Sequence, residues 1–516
     1  MAEKQYKTLR LILGDQLNSQ HSWFAKTDDS VVYCLFECLN ETAYVKHHIQ
    51  KITGFFLAMR AFAGELQAAG HRVIYQRLDE DSDLLSLTDK VAKFLAETKA
   101  ERFEYQLPDE YRLDEELRNF CADIDQEIGV YDSEHFLSER DAIEKTFAGK
   151  KTYLMETFYR KMRQKHELLM DANGEPATDQ WNYDHDNRGK LPNKLEIPST
   201  LRFTRDATEI VELLNKMGVE TMGRMKDNQF DYPITRTEGL EALEDFCQNR
   251  LEHFGTYQDA LTVRHDLLFH SRLSFAMNVK LISPLEVCQR VITEWEERPE
   301  EIAINQVEGY IRQIIGWREY MRGVYWAQMP GYEEKNHFNH TAKLPDWYWT
   351  GATKMTCLSQ SINESLDNAY AHHIQRLMVT GNFALLLGAH PDEVDAWYLG
   401  VYIDAIQWVE ITNTRGMSQW ADGGLVATKP YISSANYIHK QGDYCKNCQY
   451  DRKARVGEKA CPFNSLYWDF LDRHEEELRK NFRMGMIYRV WDRFEGEQKQ
   501  GILERAAWVK EHVESL

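Results

Sequence analysis

No apolar run in the chain approaches the roughly 20 residues needed to cross a bilayer. The opening stretch MAEKQYKTLR mixes acidic, polar and basic residues without an apolar centre, so no secretory leader is expected. Proline is sparse, at 12 in 516 residues, and neither an internal repeat nor a low-complexity tract occurs. Positive charge is in deficit: 62 Lys+Arg face 82 Asp+Glu, a net −20. Such a field repels phosphate at long range, which excludes a generally basic nucleic-acid coat. Any DNA contact must use a local basic patch. Cysteine is also scarce, at nine, and in a chain with no leader this points to a reducing compartment, the cytoplasm. Cys34, Cys38, Cys121, Cys247 and Cys288 are scattered among apolar neighbours and read as small buried hydrophobes.

The glycine-rich phosphate loop of dinucleotide folds is missing too. Apolar runs at 9–13, 31–36, 73–76, 103–106 and 130–131 read as buried strands, with helix-period segments at 43–69 and 84–99 between them. This alternation predicts an α/β domain with a doubly wound parallel sheet over 1–135. The first strand is followed by Gly14-Asp15-Gln16-Leu17 rather than GxGxxG, so a ligand there is not held by its pyrophosphate. Residues 136–235 read as an interdomain linker. Its stretch 171–198 is rich in Asp, Asn, Gly and Pro but carries Gln180-Trp181-Asn182-Tyr183-Asp184, which suggests a functional, docked loop. From 236 to 516 the pattern is helical, with spans at 239–254, 284–297, 302–325, 363–387 and 391–411, and predicts a large all-α domain.

The strongest local motif is Cys445-Lys-Asn-Cys448 followed by Cys461-Pro462, with Cys357 upstream as a fourth ligand candidate. Clustered thiolates in a reduced compartment call for a cation. Four cysteines hold either zinc or an iron–sulfur cluster, and a proline after the last cysteine is common in iron–sulfur runs. Spacing leaves open iron–sulfur, zinc and no metal.

A second set of motifs carries a resemblance. Ser271-Arg272-Leu273-Ser274 with Ile282-Ser283-Pro284, then Gly316-Trp317-Arg318-Glu319-Tyr320, His372-His373-Ile-Gln-Arg376 and Tyr402-Ile403-Asp404-Ala405 resemble, in order, the flavin-binding segments of photolyases and cryptochromes. With the four cysteines, Ile12-Leu13-Gly14-Asp15-Gln16-Leu17, Asn413-Thr414-Arg415-Gly416-Met417 and Lys429-Pro430-Tyr431, the chain is similar to the iron–sulfur bacterial branch, the prokaryotic (6-4) photolyases. The resemblance implies an all-α FAD-binding domain with a C-terminal [4Fe-4S] cluster on Cys357, Cys445, Cys448 and Cys461.

For FAD it implies Tyr257, Ser271, Arg272, Leu273, Ser274, Gln313, Trp317, Arg376, Asp404 and Glu410. Arg376 and Asp404 are expected as a pair beside the isoalloxazine. Glu410 stands where many photolyases have Asn. Catalysis is expected from His373, with His372, Tyr431 and Tyr437 near the lesion; histidine suits proton transfer near neutral pH. Adjacent on one helix, the two histidines would point about 100° apart. Trp349, Trp397 and Tyr398 match the branch's electron-transfer positions. A 6,7-dimethyl-8-ribityllumazine antenna is expected at Asp15, Glu41, Tyr44 and His48, the last three on one helix face.

UV-damaged DNA is the implied partner of a monomer that binds no membrane. Phosphate contacts are assigned to Arg160, Lys161, Arg163, Arg188, Lys190, Arg415 and Lys429. Asp184 and Asp186 are candidates for a hydrated Mg²⁺ at the DNA interface. The expected activity is light-driven electron transfer from reduced FAD to (6-4) photoproducts. The alternatives are a cryptochrome-like photoreceptor and an iron–sulfur nucleic-acid-binding module resembling the primase large subunit.

Overall fold

The computed structural model describes residues 5–81 and 83–516. Five strands, β1 Thr8–Leu11, β2 Val31–Phe36, β3 Arg72–Gln76, β4 Arg102–Gln106 and β5 Glu127–Tyr131, form one all-parallel sheet in the order β3-β2-β1-β4-β5. Every residue of β2, Val-Val-Tyr-Cys-Leu-Phe, is buried, as expected of a central strand covered by helices on both faces. The strand order reverses between β1 and β4, which opens a crevice at their carboxyl ends. Gln16 bridges that crevice: its amide donates to the Gln106 carbonyl at 3.2 Å.

The helical half forms wherever apolar residues recur at three and four. The helix Pro284–Glu297 has proline at its first position and a capping box in which Ser283 and Glu286 satisfy each other's end groups. The other expected spans are interrupted. Arg250 separates Arg236–Asn249 from Leu251–Tyr257. Three helices open into π turns, Arg312–Arg318, Gln375–Gly381 and Thr412–Ser418. The span expected at 391–411 stops at Val401 and resumes at Gln407.

In the sheet domain the span expected at 43–69 also divides, into Leu39–Ala43 and Ile49–Ala68. Glu41, Tyr44 and His48 therefore do not share one helix face. His48 instead caps the second helix by accepting from the Gln50 N–H at 3.0 Å, while its Nε2 lies 2.9 Å from the Leu366 carbonyl of the helical half. Lys51 joins the halves as well, donating to the carbonyls of Leu399 and Ala405 at 2.7 Å each.

The loop at 171–198 has no helix or strand but is docked. The Tyr183 N–H donates to Glu308 at 3.0 Å, and the Asn187 amide to the Asn305 carbonyl at 3.0 Å. No helix among the described residues is long and apolar enough to cross a membrane.

Candidate active-site cavity

The helical half encloses a cavity of about 890 Å³. The three π turns supply much of its wall: Gln313 and Trp317, then Arg376 and Leu377, then Asn413 and Thr414. A π turn adds a residue to a helical turn and re-aims side chains, and such bulges recur at functional sites. Two of them pack tightly. A Cβ on Gly381 would lie 2.2 Å from Ser418 Oγ and 2.7 Å from the Arg376 carbonyl. Glycine is therefore required there by space.

Arg376 and Asp404 form a bidentate pair on the wall, at 2.9 and 3.1 Å. Asp404 lies in the break between the helices Pro391–Val401 and Gln407–Ile411, and the interruption delivers it to the cavity. Arg376 also donates to the Ala371 carbonyl at 2.7 Å and lies 3.8 Å over the Tyr402 ring. Burial opposes its charge, but Asp404 more than offsets this and keeps the guanidinium ionised.

Ser271, Arg272, Leu273 and Ser274 line the cavity together. Ser271 Oγ accepts from the Tyr310 hydroxyl at 3.0 Å. Arg272 has φ of 56°, in the left-handed region. Its guanidinium is engaged by Asp231 at 2.9 Å and lies over Tyr232 at 3.9 Å, so its charge is not free for a ligand. Glu410 is buried on the wall, and the Thr414 hydroxyl donates to it at 2.5 Å. Burial, reinforced by Asp395, pushes its pKa well above the usual carboxyl range. Tyr257 does not reach the cavity. It packs 5.8 Å from Phe269 in a separate cluster, and its neighbours Phe254, Gln258 and Asp259 line the wall instead.

The two histidines divide their positions. His373 opens the helical segment and faces the cavity, where the surrounding protein and then Arg376 push its pKa down to about 4. His372 precedes that helix rather than lying on it. It is buried and stacks on His270, with ring centroids 4.9 Å apart and planes 11° apart. Tyr431, Tyr437, Lys429 and Arg483 complete the cavity lining with Asp184, Arg188 and Asp259.

Asp184 pairs with Arg188 at 2.9 Å, and Asp186 with His185 at 3.0 Å. Burial and then Asp184 raise Asp259 to about 7. The carboxyl beside Asp184 on the lining is thus Asp259, a residue the sequence reading missed because it stands outside every motif. Two proposed phosphate contacts serve the fold instead. Arg163 is buried and donates to the carbonyls of Leu168 and Trp181, each at 3.1 Å, and to that of Leu169. Arg415 is buried and paired with Asp392 and Asp395. Arg160, Lys161 and Lys190 are exposed.

An aromatic series leads away from the cavity. Tyr398 lines it and donates to the Arg376 carbonyl at 2.6 Å. The Tyr398 ring lies 5.1 Å from Trp397, Trp397 lies 5.1 Å from Tyr348, and Tyr348 stacks on Trp347 at 4.8 Å. Trp349, half-buried, belongs to the same short helix, Trp347–Thr350. Tyr348 and Trp347 were missed, although Trp347-Tyr348-Trp349 marks an aromatic cluster in the sequence.

Two further sets of residues come together. Cys357, Cys445, Cys448 and Cys461 are free thiols lining one pocket with Met355, Tyr444 and Phe463. Among the described residues no three His, Cys, Asp or Glu side chains close on a point that would hold a single ion. At the sheet's carboxyl end, Lys280 donates to the Asp15 carbonyl at 2.6 Å and its carboxylate at 3.1 Å, and pairs with Asp109 at 2.7 Å. Nearby, Arg112 clamps Glu41 at 2.7 and 3.0 Å and lies 4.9 Å over the Tyr44 ring.

The sheet domain and the cavity-bearing helical half are the architecture of photolyases and cryptochromes. A class III photolyase from Agrobacterium tumefaciens superposes with a TM-score of 0.58 at 16% identity, covering 99% of each chain. A cryptochrome from Synechocystis sp. PCC6803 gives 0.53 at 14%, covering 97% of this chain and 95% of its own. The family model described as deoxyribodipyrimidine photo-lyase-related protein matches residues 10–230. A (6-4) photolyase of Agrobacterium fabrum is 42% identical over 505 residues, 97% of this chain and 98% of that protein. The chain belongs to the photolyase family, in the branch that holds this (6-4) photolyase. That full-length likeness does not fit the primase-like alternative.

Proposed function

We propose that this protein is a light-driven (6-4) DNA photolyase. The observation that carries the reading is the convergence of Arg376–Asp404, Glu410, His373, Tyr431 and Tyr437 on one open cavity. The cavity fits a flavin. Its volume lies within the range of cofactor sites, the Arg376–Asp404 pair and the Glu410 carboxyl offer hydrogen-bonding groups to a polar ring edge, and Ser271 and Ser274 bring hydroxyls suited to a pyrophosphate. When bound, reduced FAD supplies the photoexcited electron for the damaged base.

The chain's residues do the rest. Arg376 is oriented by two oxygens of Asp404 and by the Ala371 carbonyl, so its charge has a fixed place. His373, its pKa pushed down to about 4, is neutral at pH 7 and can donate one N–H to the lesion. An incoming phosphodiester adds negative charge, raises its pKa and favours proton transfer. Tyr398, Trp397, Tyr348 and Trp347 give electrons a route through the packed interior, with Trp349 beside its far end.

The four cysteines suit a [4Fe-4S] cluster. They share one pocket, and a proline directly follows the last of them, as is common in iron–sulfur runs. Asp15, Glu41 and Tyr44 are the proposed lumazine contacts, whereas His48 caps its helix and meets the Leu366 carbonyl. A Mg²⁺ at the DNA interface would use Asp184 with Asp259 rather than Asp186. The domain limits proposed are 1–135, 136–235 and 236–516, for a cytoplasmic monomer acting on UV-damaged DNA.

Blue-light illumination of purified, flavin-loaded protein with a (6-4) photoproduct oligonucleotide tests the reading. Restoration of both pyrimidines is expected. Normal photoreduction with no repair would replace it by a photoreceptor.

A further inference from the structure

Phe482 is 87% exposed, with Met486 at 77% and Val490 at 42%. They fall four residues apart along the turn Phe482–Met484 and the helix Gly485–Asp492, so they share one face. This face is not the edge of the helix's own core contact. Met484, Tyr488 and Trp491 bury a different side, with Trp491 stacked on Trp468 at 5.3 Å. A contiguous exposed apolar stripe on a soluble fold marks an interaction surface.

Charge and position indicate what it meets. Within 479–493, Arg479, Lys480, Arg483, Arg489 and Arg493 face a single acid, Asp492, in a chain whose net charge is −20. Arg479 is neutralised by Glu475 and Asp492. Arg483, Arg489 and Arg493 have no carboxylate partner among the described residues. Arg483 lines the active-site cavity beside Lys429, and the Asn481 amide ties the turn to the Thr428 carbonyl at 2.9 Å. The stripe therefore begins at the cavity wall and runs outward between unpaired arginines.

We propose that this face docks on the DNA duplex flanking the lesion. Phe482 stacks on the base exposed when the damaged nucleotides swing into the cavity. Arg489 and Arg493 contact phosphates alongside. The proposal rests on the repair reading above and deepens it. An apolar partner protein would use the same stripe but would not need the arginines. A duplex uses both, because bases stack on aromatic rings while phosphates demand cations.

Equilibrium binding of the flavin-loaded protein to lesion-bearing and undamaged duplexes, measured across a salt series, tests it. Phe482→Ala is expected to weaken lesion-duplex binding about tenfold. Arg489→Gln with Arg493→Gln is expected to lower the slope of log affinity against log salt by about two. Val130→Ala, at an exposed apolar position on the sheet's edge strand, serves as the control. If wild type discriminates the lesion duplex while both sets of variants bind within twofold of it, the docking face is refuted and the repair reading stands. If wild type neither binds nor repairs lesions, both fail. Loss of a self-associated form on Phe482→Ala, seen by sedimentation with DNA affinity unchanged, would reassign the stripe to a second copy of the chain. Because Phe482 is almost wholly exposed, flavin absorbance suffices to confirm that each variant is folded.

Discussion

His373 and Glu410 show how one cavity wall sets two titrations in opposite directions. Glu410 is buried and its carboxyl is pushed well up, whereas His373 is open to the cavity and the protein around it, with Arg376, pushes the imidazole down to about 4. Replacing His373 with Ala should lower the repair rate by about 10²–10⁴, the usual contribution of a positioned acid, while flavin absorbance and photoreduction remain. Unaltered repair kinetics would remove His373 from the chemistry. Glu410→Gln tests the other direction. A carboxyl whose pKa is raised on folding loses stability as pH rises above its unfolded value near 4.5, because only the unfolded chain ionises freely. The variant should therefore gain stability over wild type progressively as pH rises above about 5. Thermal melts showing a constant difference across that range would mean that Glu410 is already ionised in the fold.

Helix interruptions, rather than helices, build the site. The helical periodicity of 302–325, 363–387 and 391–411 was legible, but the π turns and the break at 402–406 were not. Local pattern registers apolar spacing, and one extra residue per turn barely disturbs it. At Gly381 two π turns approach so closely that a Cβ would meet Ser418 Oγ at 2.2 Å. Gly381→Ala should destabilise the fold by about 1–3 kcal/mol, as overpacking does, and should also weaken flavin retention, read by ultrafiltration of the loaded protein. Loss of stability with undiminished retention would separate the turn from the site. Along the aromatic series, Trp397→Phe should slow flavin photoreduction by external donors while leaving repair by pre-reduced protein intact. Equal photoreduction rates in transient absorption would place the electron route elsewhere.

The whole molecule is held by contacts between distant segments. His48 and Lys51 of the sheet domain reach the carbonyls of Leu366, Leu399 and Ala405 in the helical half. The pocket of Cys357, Cys445, Cys448 and Cys461 joins the chain's last segment to one that precedes the histidines. If the pocket holds the proposed cluster, Cys461→Ser should abolish its visible absorbance and lower the melting temperature, because metal binding is commonly coupled to folding. A variant as stable as wild type would limit the cluster to a redox role.

By itself the sequence determined the class of each half, because strand and helix periods are local and survive any packing. It also singled out, through ordered motifs, Arg376, Asp404 and His373, which line the cavity, and the four cysteines, which line one pocket. The tertiary structure decided which of two adjacent histidines meets the cavity. It turned Arg163, Arg415 and His48 inward as parts of the scaffold, and it placed Asp259 on the cavity lining with Asp184. Those outcomes depend on where a helix starts and on what a side chain meets across the fold, and neither is encoded in the spacing of neighbours along the chain.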